Sequence, residues 1–228
     1  MEHIAGIIPT RGGSKGLPGK CMATVSGQTL IHHAVRQALR TVGSAFVITD
    51  HLEHAEEANL AGGVGLMVDH AVPDDALPEH QEKRAMAMFP EVFAPYSSVC
   101  RLFVTHPLRA DADILRGVGL HRETSATVIS HAEAEHQEHQ CILAHGGGYI
   151  ARSVDPKRRR QDVQPPEQYL VGCFYLATMA SYQRYAFWPP IFQTVQVPTL
   201  RALDVDTPDD LERVRLLWSV RDRLDVIG

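Results

Sequence analysis

Only four cysteines occur in the 228 residues, Cys21, Cys100, Cys141 and Cys173, and no two form a Cys-x-x-Cys pair. That scatter argues against a disulfide framework or a zinc knuckle and leaves reduced, buried thiols as the expected state. No run of about 18 apolar residues is present, so no membrane span is expected. The start, Met1-Glu2-His3-Ile4-Ala5-Gly6, has no basic segment leading into an apolar one, so no secretory leader is expected and a cytoplasmic location follows. A net charge of -5 and 7% aromatics give no general reason to expect a nucleic-acid partner. What is present, 44% hydrophobic residues without an internal repeat, suits one sizeable core and a single domain over 1–228.

Strand-like and helix-like segments alternate. Ile4 to Ile8 is a short apolar run ended by Pro9; Leu30, Ala34, Val35, Ala38 and Leu39 recur at helical spacing after a cap at Thr29. Further strands are expected at 45–48, 65–68, 99–104, 126–130, 172–177 and 200–206, and helices at 52–60, 79–93, 111–121 and 208–224. This rhythm predicts an α/β fold with a mainly parallel sheet flanked by helices. From His131 to Tyr169 it breaks into a polar stretch with Gly146-Gly147-Gly148 and Lys157-Arg158-Arg159-Arg160, expected to be a projecting insertion whose triple glycine makes a hairpin turn. The four-cation run reads as solvated. The thirteen histidines are the one unusual count; His131, His136, His139 and Cys141 lack an apolar frame to fix ligand geometry and read as a polar loop.

The first strand runs into Pro9-Thr10-Arg11-Gly12-Gly13-Ser14-Lys15-Gly16-Leu17-Pro18-Gly19-Lys20. Four glycines let backbone N–H groups converge on an anion, and three cations add charge and bidentate donors, at a strand end where open α/β sheets bind ligands. Neither a P-loop nor a dinucleotide fingerprint fits the spacing. Near the C-terminus, Asp204 and Asp206 stand at i and i+2, so on a strand both carboxylates aim at one cation, and hard oxygen donors suit Mg²⁺. Thr207, Pro208, Asp209 and Asp210 read as a helix cap and first turn.

The opening motif resembles that of the CMP-N-acetylneuraminate synthetases, which have a Rossmann-like (GT-A-like) nucleotidyltransferase fold. Ile48-Thr49-Asp50, Thr105-His106-Pro107-Leu108-Arg109, Arg160-Gln161, Gly172-Cys173-Phe174-Tyr175 and Asp204-Val205-Asp206-Thr207-Pro208 resemble further motifs in the family's order. The resemblance implies transfer of CMP from CTP to an acidic sugar such as a sialic acid or related nonulosonate, with release of pyrophosphate. It implies nucleotide contacts from Pro9, Thr10, Arg11, Gly12, Gly13, Ser14, Lys15, Lys20 and Asp50. Acceptor contacts fall to Thr105, His106, Arg109, Arg160, Gln161 and Gly172, the metal to Asp204 and Asp206, and catalysis to Arg11, Lys20 and Asp206. Mg²⁺ is the implied cofactor and a homodimer, through 131–169, the implied assembly.

Departures cluster on the acceptor side. The family's Gln-Pro is Phe103-Val104 here, its Ser is His106, and two of its Asn residues are Cys21 and Val171. Its Arg-Pro-x-x-Leu-Ala motif has no counterpart in 68–73. Lost hydrogen-bonding groups change which acceptor fits. Another acceptor, such as a phosphonate, and a nucleotide-binding homologue with altered or lost acceptor chemistry are therefore the alternatives.

Overall fold

The computed structural model describes residues 3–11, 16–69, 77–133, 142–145, 148–151 and 168–223. β1 (Ile4–Pro9) is buried at every position, as its unbroken apolar run requires for a strand covered on both faces. A 3-10 turn (Lys20–Met22) leads to a small hairpin of β2 (Thr24–Val25) and β3 (Gln28–Thr29). Then follow α1 (Leu30–Thr41), β4 (Phe46–Thr49), α2 (Leu52–Leu60), β5 (Val64–Met67), α3 (Pro78–Met88), α4 (Pro90–Phe93), β6 (Ser98–Arg101) and α5 (Asp111–Thr124). β7 (Val128–Glu133), β8 (Ile142–His145), β9 (Gly148–Ala151), β10 (Gln168–Thr178), α6 (Met179–Tyr185), β11 (Gln193–Gln196) and α7 (Pro208–Trp218) complete the chain.

Seven strands make one sheet in the order β11-β7-β10-β6-β1-β4-β5. β6, β1, β4 and β5 run parallel, as do β11 and β7, while β10 is antiparallel to both of its neighbours. Side chains of α1, α5 and α7, among them Ile31, Val35, Ile114 and Val214, cover one face. Ala85, Phe93 and Tyr182, from α3, α4 and α6, cover the other. A fully buried ion pair sits under that second face: Arg101 donates to Glu82 through Nε and Nη2, both at 2.5 Å, and Tyr182 Oη donates to the same carboxylate at 2.5 Å.

Local chemistry sets the boundaries. Thr29 caps α1 by accepting from His32 N at 3.0 Å, as expected. The helix expected over 79–93 is two helices, because Pro90 has no N–H to continue the first and restarts the turn instead. The strand expected at 200–206 does not form: Thr199–Ala202 is a 3-10 turn and 203–206 is extended but outside the ladder, tied by Val205 N to Thr105 O at 2.8 Å. The last helix ends at Trp218, short of the expected 224. Within 131–169, β7 and β10 carry regular structure further than expected, to Glu133 and from Gln168, and β8 pairs with β9 as the hairpin expected at the triple glycine. The rest of that stretch, with Arg160, Gln161, His136 and His139, lies outside the described residues, as do Gly12, Gly13, Ser14 and Lys15.

Candidate active site

The loop after β1 is pinned at both ends. Thr10 N extends the ladder to Ile48 O at 2.9 Å, and buried Cys21 donates its thiol to Arg11 O at 3.9 Å. Within it, Gly16 backs onto the C-terminal segment so closely that a Cβ there would lie 2.5 Å from Asp206 O. Gly19 takes a left-handed conformation (φ 69°), which turns the chain into the 3-10 segment carrying Lys20. Lys20 Nζ reaches Asp206 Oδ1 at 2.7 Å. Two residues assigned to catalysis from sequence are thereby in contact, and the third, Arg11, leaves the same strand end.

Val205 is buried while its neighbours Asp204 and Asp206 are exposed, so the i, i+2 alternation holds although the segment is not a strand. Partial burial, helped by the Asp206 and Asp210 charges, raises the Asp204 pKa, against a hydrogen bond from Thr105 and the Lys20 charge. Among the described residues no three His, Cys, Asp or Glu side chains converge as a protein-only metal cage. Two neighbouring carboxylates beside a phosphate-type loop are, however, the donor set that suits a Mg²⁺ shared with substrate phosphates. Thr207 caps α7 with Asp210 in a capping box, the structural role expected for it.

Beside Thr10, one of the residues expected to contact nucleotide, Gln81 Nε2 donates to Thr10 O at 3.1 Å. Its Oε1, the Thr10 hydroxyl and Asp50 Oδ1 are buried without a hydrogen-bond partner. Gln81 was not singled out by sequence, because a glutamine at an ordinary helix position carries no local signal. Buried polar atoms of this kind need partners, and a nucleotide can supply them.

The segment 103–109, expected from the sequence to face the acceptor, turns sharply after β6. His106 Nδ1 lies 3.2 Å from Thr105 Oγ1 and 3.9 Å from Asp204 Oδ1. Gly172 passes over it: a Cβ there would meet His106 Cε1 at 2.9 Å and Phe103 Cδ2 at 3.0 Å. A register irregularity in β10 between Leu170 and Tyr175 makes that approach, stitched by Ser130, whose hydroxyl donates to Val171 O and accepts from Phe174 N. Burial, then the Arg109 and Lys20 charges, pushes the His106 pKa down to about 3. Burial thus disfavours the charged form of the ring. Arg109 is buried behind the segment, donating to Phe103 O and, at 2.6 Å, to Gln37 Oε1. Burial pushes its pKa down to about 10. A cavity of about 280 Å³ opens beside His106, Gly172, Leu203, Asp204 and Arg213.

The sequence profile of the cytidylyltransferase family matches residues 5–146, more than half the chain. The protein belongs to the cytidylyltransferase family. It is accordingly a nucleotidyltransferase. A 3-deoxy-manno-octulosonate cytidylyltransferase of Anaeromyxobacter sp. (strain K) is 29% identical over 243 residues, covering 96% of this chain and 99% of that protein. An N-acylneuraminate cytidylyltransferase of Streptococcus agalactiae serotype V is also 29% identical, over 216 residues, covering 91% of this chain and 51% of that protein. The sialic-acid resemblance thus widens to the family as a whole. Two solved structures share the fold. A CMP:2-keto-3-deoxy-manno-octonic acid synthetase complexed with CTP has a TM-score of 0.70 at 20% identity, covering 95% of this chain and 98% of that one. A 4-diphosphocytidyl-2C-methyl-D-erythritol synthase has a TM-score of 0.68 at 13% identity, covering 96% and 99%. The fold is the expected Rossmann-like nucleotidyltransferase. Among the described residues no helix is long and apolar enough to cross a membrane.

Proposed function

We propose that this cytidylyltransferase transfers CMP from CTP to an acidic sugar of the ulosonate type, releasing pyrophosphate. The Lys20–Asp206 contact carries the reading, because it joins a phosphate-type loop to a carboxylate pair across the end of the sheet. Relatives named for 3-deoxy-manno-octulosonate and for N-acylneuraminate support both the base and the acceptor class. Arg11, Lys15 and Lys20 hold the triphosphate, with the Gly12 and Gly13 amides and the Ser14 hydroxyl around it. Asp50, Gln81 and the Pro9–Thr10 backbone line the side where the nucleoside lies. The acceptor occupies the cavity beside His106 and Gly172, near Thr105, with its hydroxyl in line with the α-phosphorus; Arg160 and Gln161, outside the described residues, are assigned to it by the family's motif order alone. Neutral His106 orients the hydroxyl by a hydrogen bond and leaves its proton in place. Asp204 and Asp206 would hold Mg²⁺, which when bound neutralises charge on the phosphates. Positioning and charge stabilisation supply most of the acceleration. A copy of the chain contributing the 131–169 segment would complete a homodimer.

The test is a panel of CTP, UTP, ATP and GTP against 3-deoxy-manno-octulosonate, N-acetylneuraminate and a simple phosphonate, scored by CMP-conjugate formation in ³¹P NMR. Conjugates with CTP and an ulosonate support the reading. Tight CTP binding without turnover on any acceptor would favour the homologue with lost acceptor chemistry.

A further inference from the structure

Gln81 lies buried in α3, only 2% exposed, and its side-chain amide is held in one orientation. The Thr10 carbonyl can only accept, so the Nε2 end of Gln81 faces it, at 3.1 Å, and Oε1 is the end left over. Neither partner is loose. Thr10 N is tied to Ile48 O at 2.9 Å, and the next residue of α3, Glu82, is gripped by Arg101 and Tyr182 at 2.5 Å. Oε1 is nevertheless a buried acceptor without a hydrogen-bond partner, and the Thr10 hydroxyl and Asp50 Oδ1 share that condition. Thr10 and Asp50 directly follow the paired strands β1 and β4, at the carboxyl ends where open α/β sheets take ligands.

Buried polar groups are rarely left unpaired, so these three are suited to something that the chain itself does not supply. An amide oxygen and a carboxylate oxygen have no proton to give; of the three groups only the Thr10 hydroxyl does. What sits there must therefore bring N–H or O–H donors. Pyrimidines differ in this respect. Cytosine carries a donor amine at position 4, where a uracil-type base carries an acceptor oxygen.

We propose that Gln81 selects cytosine over uracil in this protein, its Oε1 accepting a hydrogen bond from the 4-amino group. A uracil would set its O4 against Oε1 with no proton between them. Oε1 cannot turn away without giving up the bond to Thr10 O, so the discrimination is built in. Gln81 takes this role on the reading above, in which the nucleoside lies beside Thr10 and Asp50.

Calorimetric titration of the full chain, with Mg²⁺ and no acceptor, compares CTP, UTP and the triphosphate of pyrimidin-2-one riboside, which is CTP without its 4-amino group. The parent should bind CTP at least about tenfold more tightly than either of the others. Gln81→Met, similar in length but without the amide, should bind CTP and the pyrimidin-2-one analogue equally; lost packing alone would weaken both together. Gln81→Glu keeps an acceptor oxygen and should keep the preference for CTP, which covers the case of a Gln81→Met protein that does not fold. A parent that binds CTP and the analogue equally, a folded Gln81→Met protein that still prefers CTP, or a folded Gln81→Glu protein that loses the preference would overturn the proposal. Failure to bind CTP at all would sink the nucleotide reading with it. CTP bound with this discrimination but never transferred would count against the transfer reaction alone.

Discussion

Lys20 and Asp206 stand 186 positions apart in sequence and form an ion pair at 2.7 Å, with the lysine largely covered and the aspartate open to solvent. An exposed pair of this kind adds about 0.2–1 kcal/mol to stability. Its value is in placement, since it fixes a cation from the phosphate-type loop beside the carboxylate pair. Lys20→Ala should lower kcat by about 10²–10³ while the melting temperature changes little. Pyrophosphate release and a thermal melt on the same preparation read both quantities. A large loss of stability with activity preserved would mean the pair is structural only.

Gly16→Ala tests the same juncture through the backbone. The added Cβ would sit 2.5 Å from Asp206 O, so loop or aspartate must move. A displacement near 1 Å at reacting groups costs about 10²-fold in rate. The expected result is such a loss with an unchanged far-UV spectrum; wild-type kinetics would show that the loop adjusts freely.

His106 gives a pH signature. Its folded pKa of about 3 lies below the ordinary 6.5 because the ring is buried and neighbours two cations. The unfolded chain therefore binds the proton first as pH falls. Stability present above pH 6.5 is lost progressively toward pH 3, at about 1.4 kcal/mol per pH unit in mid-range. A His106→Gln variant should show a shallower acid limb in urea midpoints measured between those limits. Superimposable curves would refute the assignment.

Glu82 is the structural counterpart. It is fully buried and takes hydrogen bonds from Arg101 and Tyr182. Glu82→Ala leaves the Arg101 charge with Glu79 as its remaining partner, at 3.2 Å. Removing one partner of a buried pair costs about 3–5 kcal/mol. Urea denaturation should show it; a loss under 1 kcal/mol, well short of the cited range, would mean that Glu79 or water takes over.

Much of this was legible in the residues. β1 and β4 announced themselves as apolar runs, and α1 by its periodic face and its Thr29 cap. β11 was not, because Gln193, Thr194 and Gln196 are exposed and Val195 alone is buried, so an edge strand leaves no alternating signal. The segment 200–206 misled in the other direction. Ala202 and Val205 are buried in the core, yet Arg201 is drawn to buried Asp113 at 3.1 Å and the backbone turns instead of pairing. For the candidate site, chemistry-bearing types in family order singled out Lys20 and Asp206, which the fold brings into contact. Gln81 stayed hidden, because its contact with Thr10 joins segments far apart in sequence.

Cytidylyl transfer at the Lys20–Asp206 juncture is read out by ³¹P NMR of CTP with 3-deoxy-manno-octulosonate and Mg²⁺. Pyrophosphate and a CMP-sugar phosphodiester should appear in equal amounts, with Asp206→Asn slowed at least about 10²-fold. CTP that persists unchanged with every ulosonate tried, or an Asp206→Asn protein at wild-type rate, would contradict it.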